Sequence, residues 1–211
     1  MKIKWLGHSC FLLTADNGVK VLTDPFDSSV GYAVPQVTAD IVSTSHDHFD
    51  HNNIEAAQGD FFLVNQSGHF SHKGIDITGV AAFHDDNHGA QRGRNIIYKF
   101  VVDGVHICHC GDLGHILTQE QVQEIGHVDI LLIPVGGFYT IDCNQAVEVV
   151  KMLQPAVVIP MHFKTPAIQL PIEGVEPFLE RMGGVRLERQ EVEYDKKSVG
   201  QTPGVIVLEY A

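Results

Sequence analysis

The stretch "STSHDHFDH", residues 43–51, decides how the chain is read, because three histidines and two aspartates occupy the six positions from His46 to His51. Crowded imidazoles and carboxylates are tolerated when a cation lies between them, and they are the ligands that borderline divalent metals prefer. The apolar run DIVST (40–44) precedes the cluster, and NNIEAA (52–57), with Asn52 or Asn53 as cap, reads as the start of a helix after it. The hexad is therefore expected to be a strand-to-helix loop. In extended backbone residues i and i+2 face one side, so His46 and His48 address one point, and Asp50 and His51 turn toward a neighbouring one as the chain coils. By chance H-x-H-x-D-H should arise in roughly three per thousand sequences of this composition, so an accidental match is the weaker explanation.

Working outward, further ligands are expected where other strands end. VAAFHDD (80–86) ends an apolar run at His84, HICHCGDLG (106–114) ends one at Gly111-Asp112, and VVIPMHFK (157–164) ends one at His162. With His46, His48, Asp50 and His51 these give seven candidate ligands, the complement two metals need while leaving positions for water and substrate. His88 competes with His84, which is preferred because it directly ends the apolar run. Around the ligands, His8 either lines the pocket or is a core histidine bonded to backbone. Asp24 either orients a ligand histidine or is a turn carboxylate before Pro25. His115 faces the pocket or caps a helix, Tyr139 offers a hydroxyl from a pocket wall, and Arg92, Arg94 and Lys164 are the cations placed to meet an anionic substrate or else surface charges. His109 is expected to be a satisfied buried ring, with Cys108 and Cys110 on the opposite strand face as small hydrophobes. His69, His72, His106 and His127 are assigned no chemical role.

The rest of the chain supplies a scaffold. CFLLTADNGVKVLTD (10–24) and NIIYKFVVDGVHICHCGD (95–112) read as hairpins turning at Asn17-Gly18 and Asp103-Gly104. Helices are expected over 118–125, 142–153 and near 175–182, alternating with strands at 129–133, 156–159, 185–189 and 204–209. No linker or repeat interrupts this order, and 211 residues with 44% hydrophobic content suffice for one domain over 1–211. A formal charge of −12 argues against nucleic acid and anionic membrane as partners. The absence of an 18-residue apolar run and of a signal sequence gives a cytoplasmic location as the expectation. Four cysteines without a C-x-x-C pair suggest reduced thiols.

His46-x-His48-x-Asp50-His51 with His84, Asp112 and His162, together with WLGHSCF (5–11), TDP (23–25), RGRN (92–95), CGDLGH (110–115), PVGGFYTID (134–142) and IPMHFK (159–164), resembles the metallo-β-lactamase superfamily over nearly the whole chain. It is most similar to the short single-domain branch that includes L-ascorbate-6-phosphate lactonase. The resemblance implies an α+β fold, an αββα four-layer sandwich of two mixed β-sheets flanked by helices, with metals at one edge between the sheets. It implies two divalent metal ions, zinc first and manganese, iron or cobalt as alternatives. His46, His48 and His84 would hold one, Asp50, His51 and His162 the other, and Asp112 would bridge. Two divalent cations against two carboxylates leave the site near +2, which favours an anionic or carbonyl-bearing small molecule. The implied activity is hydrolysis of an ester, lactone or phosphorylated metabolite by a metal-bridging hydroxide, with Asp50 and Asp112 as catalytic carboxylates. A phosphodiesterase or nuclease, and further off a di-iron redox protein, are the alternatives. A homo-oligomer is compatible with a pocket at a sheet edge.

Overall fold

Asp103 and Gly104 both adopt positive φ, 52° and 77°, the backbone a two-residue hairpin turn requires. They join β10 (Arg94–Val102) to β11 (Val105–His109) in an antiparallel pair. The second expected hairpin joins β2 (Cys10–Thr14) to β3 (Lys20–Thr23), with Gly18 at φ 88° in its turn. The structure, a computed structural model, describes residues 1–201 and 204–211.

Each hairpin seeds one mixed sheet. The six-stranded sheet runs in the order β15 (Glu191–Glu193), β1 (Lys2–Gly7), β2, β3, β5 (Ile41–Ser43), β7 (Phe62–Val64), antiparallel as far as β3 and parallel beyond it. The eight-stranded sheet runs β14 (Val185–Arg186), β16 (Gly204–Val207), β13 (Val157–Met161), β12 (Ile130–Pro134), β11, β10, β9 (Ile75–Phe83), β8 (Gly68–His72). It is parallel from β14 to β11 and antiparallel from there on. A short parallel pair, β4 (Val37–Thr38) with β6 (Ala57–Gln58), stands apart. Alternate residues of the strands, such as Trp5, Phe11, Leu13 and Val21 from the first sheet and Tyr98, Phe100 and Ile107 from the second, form one buried cluster between the sheets. Burying each such large side chain contributes roughly 1.5–3 kcal/mol relative to leaving it in water.

Three helices cover the eight-stranded sheet: α1 (Gln119–Ile125) against β9, α2 (Cys143–Leu153) against β12, and α3 (Glu176–Met182) against β16 and α2. The first two start as the sequence requires. Thr118 with Gln121, and Asp142 with Gln145, form reciprocal capping boxes that satisfy free backbone amides. On α2, Ala146, Val149, Val150 and Leu153 are buried, the one-sided stripe expected of a helix on a sheet. The outer face of the six-stranded sheet is covered differently. Leu6, Leu22 and Val42 point there into a second apolar cluster completed by Phe26, Tyr32 and Ile168, which lie outside helices. The αββα expectation is thus realised as an α+β sandwich whose regular helices, among the described residues, lie on one side.

One local expectation fails. No helix follows His51; the chain makes only a three-residue 3-10 turn, Ile54–Ala56, and Asn53 gives it no side-chain cap. The Asn53 side-chain amide instead donates to the carbonyl of Phe26, and its backbone amide to Pro25, so a tertiary bond takes the group that would have opened a helix. Among the described residues no helix is long and apolar enough to cross a membrane.

Candidate metal centre

Strands β1, β3 and β5 run one way in their sheet, and β9, β11 and β13 run one way in theirs. Every residue singled out for chemistry in the hexad reading lies just past one of these C-terminal ends: His8 after β1, Asp24 after β3, the hexad after β5, His84 after β9, Asp112 after β11 and His162 after β13. The ends are bent inward. His8, Asp24 and His162 adopt φ of 52°, 40° and 49° without being glycine, a conformation costing on the order of 1–3 kcal/mol that clusters at functional sites. Gly111, at φ 55°, lets the two sheets touch: a Cβ there would lie 2.5 Å from that of Ser45 and 2.4 Å from Asn95 Oδ1. The Ile96 amide donating to the Ser45 carbonyl ties the same edge across.

The side chains then converge. Asp112 is the hub, with Oδ1 3.2 Å from His51 Nε2 and Oδ2 3.2 Å from His84 Nε2 and 3.4 Å from His162 Nε2. Asp50 Oδ2 lies 3.6 Å from His51 Nε2 and 3.2 Å from His8 Nε2. The rings of His46, His48 and His84 gather at centroid separations of 4.5, 4.7 and 5.2 Å. Donors about 2.1 Å from a shared cation and 90–120° apart lie about 3.0–3.6 Å from one another, which is the spacing found here. Among the described residues His51 Nε2, Asp112 Oδ1 and His46 Nε2 are buried without a well-formed hydrogen bond. Buried polar atoms left this way cost free energy unless something absent from the polypeptide satisfies them. The donor set of imidazoles and carboxylates fits divalent cations in three overlapping groups: His46, His48 and His84; His46, His51 and Asp112; and His8, Asp50, His51 and His162.

Asp24 sits behind the cluster, fully buried. Its Oδ2 accepts from His51 Nδ1 at 2.9 Å and from Ser45 Oγ at 2.6 Å, while Ser45 Oγ in turn accepts from His46 Nδ1 at 3.0 Å. One carboxylate thereby puts the proton on Nδ1 of two histidines and turns both Nε2 lone pairs into the centre. Burial pushes the Asp24 carboxyl up, but His109 and the hydrogen bond from His51 outweigh it and hold it below the usual carboxylate range. Burial and the nearby His51 charge push His46 down to about 3, so it stays neutral. His51 goes the other way: burial would lower it, yet the Asp112 and Asp50 charges raise it well above 6.5. Without a cation, an imidazolium at His51 thus sits between the two carboxylates. Asp24→Asn is expected to weaken metal binding about 10–100-fold by misorienting both rings; calorimetric titration with Zn²⁺ giving the unaltered affinity would remove Asp24 from the centre.

The remaining candidates divide. Arg94 and Arg92 line a cavity of about 960 Å³ whose floor includes Ser45, His46 and His48, with Asn65 and Gln66 on its wall. Among the described residues neither arginine is in an ion pair, unlike Lys2, Lys73 and Arg186. Lys164 does not line this cavity, and its ammonium donates to the Leu170 carbonyl at 2.7 Å, tying its own loop. His115 uses both ring nitrogens on backbone, donating to Ile116 O and accepting from Phe83 N beside His84, so it braces a strand end instead of facing the cavity. The Tyr139 ring packs under the Arg92 guanidinium, 5.7 Å away. His88 packs edge-on to Phe83 and stays outside the groups of converging ligands. His109 is satisfied at both nitrogens, by Ser9 O and Gly111 N. Three supporting residues escaped the sequence reading. Besides Ser45, Asn95 accepts from the Asp112 amide and donates to Cys110 O, and Asp85 accepts from the amides of Asn87, Gly89, Gln91 and Arg92. Only Asp85 carried a signal, an aspartate opening a turn with Asn87 and Gly89 behind it.

The family model described as the beta-lactamase superfamily domain matches residues 2–162. A UPF0173 metal-dependent hydrolase of Thermoplasma acidophilum is 31% identical over 191 residues, covering 78% of this chain and 84% of the relative. Another from Methanoregula boonei is 33% identical over 190 residues, with 78% and 83% covered. A crystal structure from Thermotoga maritima, described as a candidate zinc-dependent hydrolase of the metallo-beta-lactamase superfamily, superimposes with a TM-score of 0.83 at 38% identity, covering 100% of this chain and 99% of that one.

Proposed function

The chain belongs to the beta-lactamase superfamily and is a metal-dependent hydrolase, and from that premise we propose that residues 1–211 form one domain that hydrolyses a small ester, lactone or phosphorylated metabolite at a two-cation centre. What supports the two-cation reading is Asp112, a single carboxylate within 3.4 Å of histidines from three different strand ends. His46, His48 and His84 would hold one cation, Asp50, His51 and His162 the other, and Asp112 would touch both. Zinc, named for the Thermotoga maritima neighbour, is the first choice, with manganese, iron and cobalt compatible with an all-N,O donor set. When bound, such cations supply a nucleophile drawn from water at neutral pH and polarise the attacked oxygen.

The protein's own groups do the rest. Asp24 and Ser45 hold His51 and His46 in the tautomers that keep the centre assembled. Asp50 is the more accessible of the two carboxylates, 15% exposed against 2% for Asp112, and it is ionised, so it is the one placed to take a proton from water and pass it to the leaving group. The cavity beside His46 and His48 receives the substrate. Arg92 and Arg94 set its charge preference for an anionic group, and the amides of Asn65 and Gln66 offer neutral hydrogen bonds. A cavity of about 960 Å³ suits a small molecule better than a polynucleotide, as does the formal charge of −12. Metal analysis followed by assay against lactones, carboxylic esters, thioesters and phosphodiesters tests the reading. Two cations per chain and turnover of an anionic ester or lactone are expected; turnover confined to phosphodiesters would move the assignment to the alternative reading.

A further inference from the structure

His8 stands out among residues outside the seven expected ligands, because the fold goes to unusual length to place it. The β1–β2 register breaks between Trp5 and Gly7. Gly7, at φ 111°, presses so closely on Tyr32 that a Cβ would lie 2.7 Å from its ring carbons. His8 follows in left-handed backbone, and its carbonyl accepts both from the Trp5 indole at 3.0 Å and from the His162 amide at 3.2 Å. The result is a fully buried ring, 4.2 Å from that of His162 and 5.1 Å from that of His51.

We infer that His8 is itself a metal ligand, donating from Nε2 at the position served by Asp50, His51 and His162. Its Nε2 lies 3.2 Å from Asp50 Oδ2, inside the spacing expected of two donors on one cation, and it converges with Asp50, His51 and His162 as a four-residue group. The disposition of the ring matches that of two expected ligands. Like His84 and His162, it aims Nε2 at a carboxylate while Nδ1 is buried without a partner. This rests on the two-cation reading and sharpens it. With Asp112 the position would have five protein donors, more than the four of a tetrahedral zinc site, which suits an ion that accepts five or six ligands. It would also be closed by protein, leaving the substrate to enter over His46 and His48, where the cavity lies.

A hydrogen bond from His8 to Asp50 would give the same distance, so the test separates a ligand from a positioning residue. Wild type, His8→Gln and His8→Gly are titrated with Co²⁺ while the visible absorption is recorded and folding is checked by circular dichroism. Glutamine keeps a donor toward Asp50 but is a poor metal ligand, and glycine accepts the left-handed backbone at this position. The second equivalent of Co²⁺ is expected to bind at least tenfold more weakly to both variants with an altered spectrum, and free imidazole is expected to restore both properties in His8→Gly. Wild-type affinity, or a wild-type spectrum despite weaker binding, in His8→Gln would overturn the assignment and leave His8 as a partner of Asp50. Wild type taking up fewer than two Co²⁺ would instead defeat the two-cation reading, and this inference with it.

Discussion

Asp112→Ala is expected to abolish hydrolysis while the fold stands. The carboxylate is about 2% exposed and its backbone is pinned by Asn95. Imidazoles from the β5, β9 and β13 ends all address it, and in the proposed centre it would contact both cations. Burial would push its carboxyl up, but His162 and His51 hold it well below the ordinary range, so it is ionised throughout the working pH. Losing that charge should lower kcat/KM by about a hundred- to a thousandfold, the scale seen when a principal electrostatic group is deleted. Asp112→Asn keeps the shape and should fail equally, which separates charge from packing. Near-wild-type turnover by either variant with two cations still bound would remove Asp112 from the chemistry.

Stripping divalent cations should lower both activity and stability, in a manner that depends on pH. A ligand present at about 100 times its dissociation constant stabilises the native state by about 2.7 kcal/mol, and the chelated protein should lose an amount of that order. The pH dependence follows from His51. Its folded pKa is raised by Asp112 and Asp50, so below that value the cation-free centre holds a proton on this ring. A metal needs the same Nε2 lone pair and must expel the proton. Affinity therefore rises with pH, about tenfold per unit while one proton is released, through pH 6.5 and upward until the raised pKa is passed. Calorimetry in buffers of unlike ionisation enthalpy would detect that proton; metal binding independent of pH between 5 and 6.5 would contradict the placement of His51.

Much of this was legible in the chain because metal chemistry and turn chemistry both restrict residue type. The proposed ligands of the hexad and positions 84, 112 and 162 are all histidine or aspartate, from the short menu of side chains that hold such cations, and Asp103-Gly104 announces its turn by the backbone it tolerates. Thr118 and Asp142 announced helices because a cap acts within three residues. What stayed hidden acts between residues distant in sequence. Asn53 looks like a cap until Phe26, 27 residues back, takes its amide, and nothing around Lys164 announces that its ammonium ties to the Leu170 carbonyl. Ser45 relays Asp24 to His46 across the junction of two strands, and no periodicity encodes that. The outer cover of the six-stranded sheet was unreadable for a related reason, since Phe26, Tyr32 and Ile168 pack without any repeat.

The left-handed backbone at His8, Asp24 and His162 sets heat resistance against reactivity at three fixed places. Glycine would relieve at each strand end a strain of about 1–3 kcal/mol, so selection for thermal tolerance alone would drift toward it there. A variant hardened in that way would be a sturdier and emptier protein.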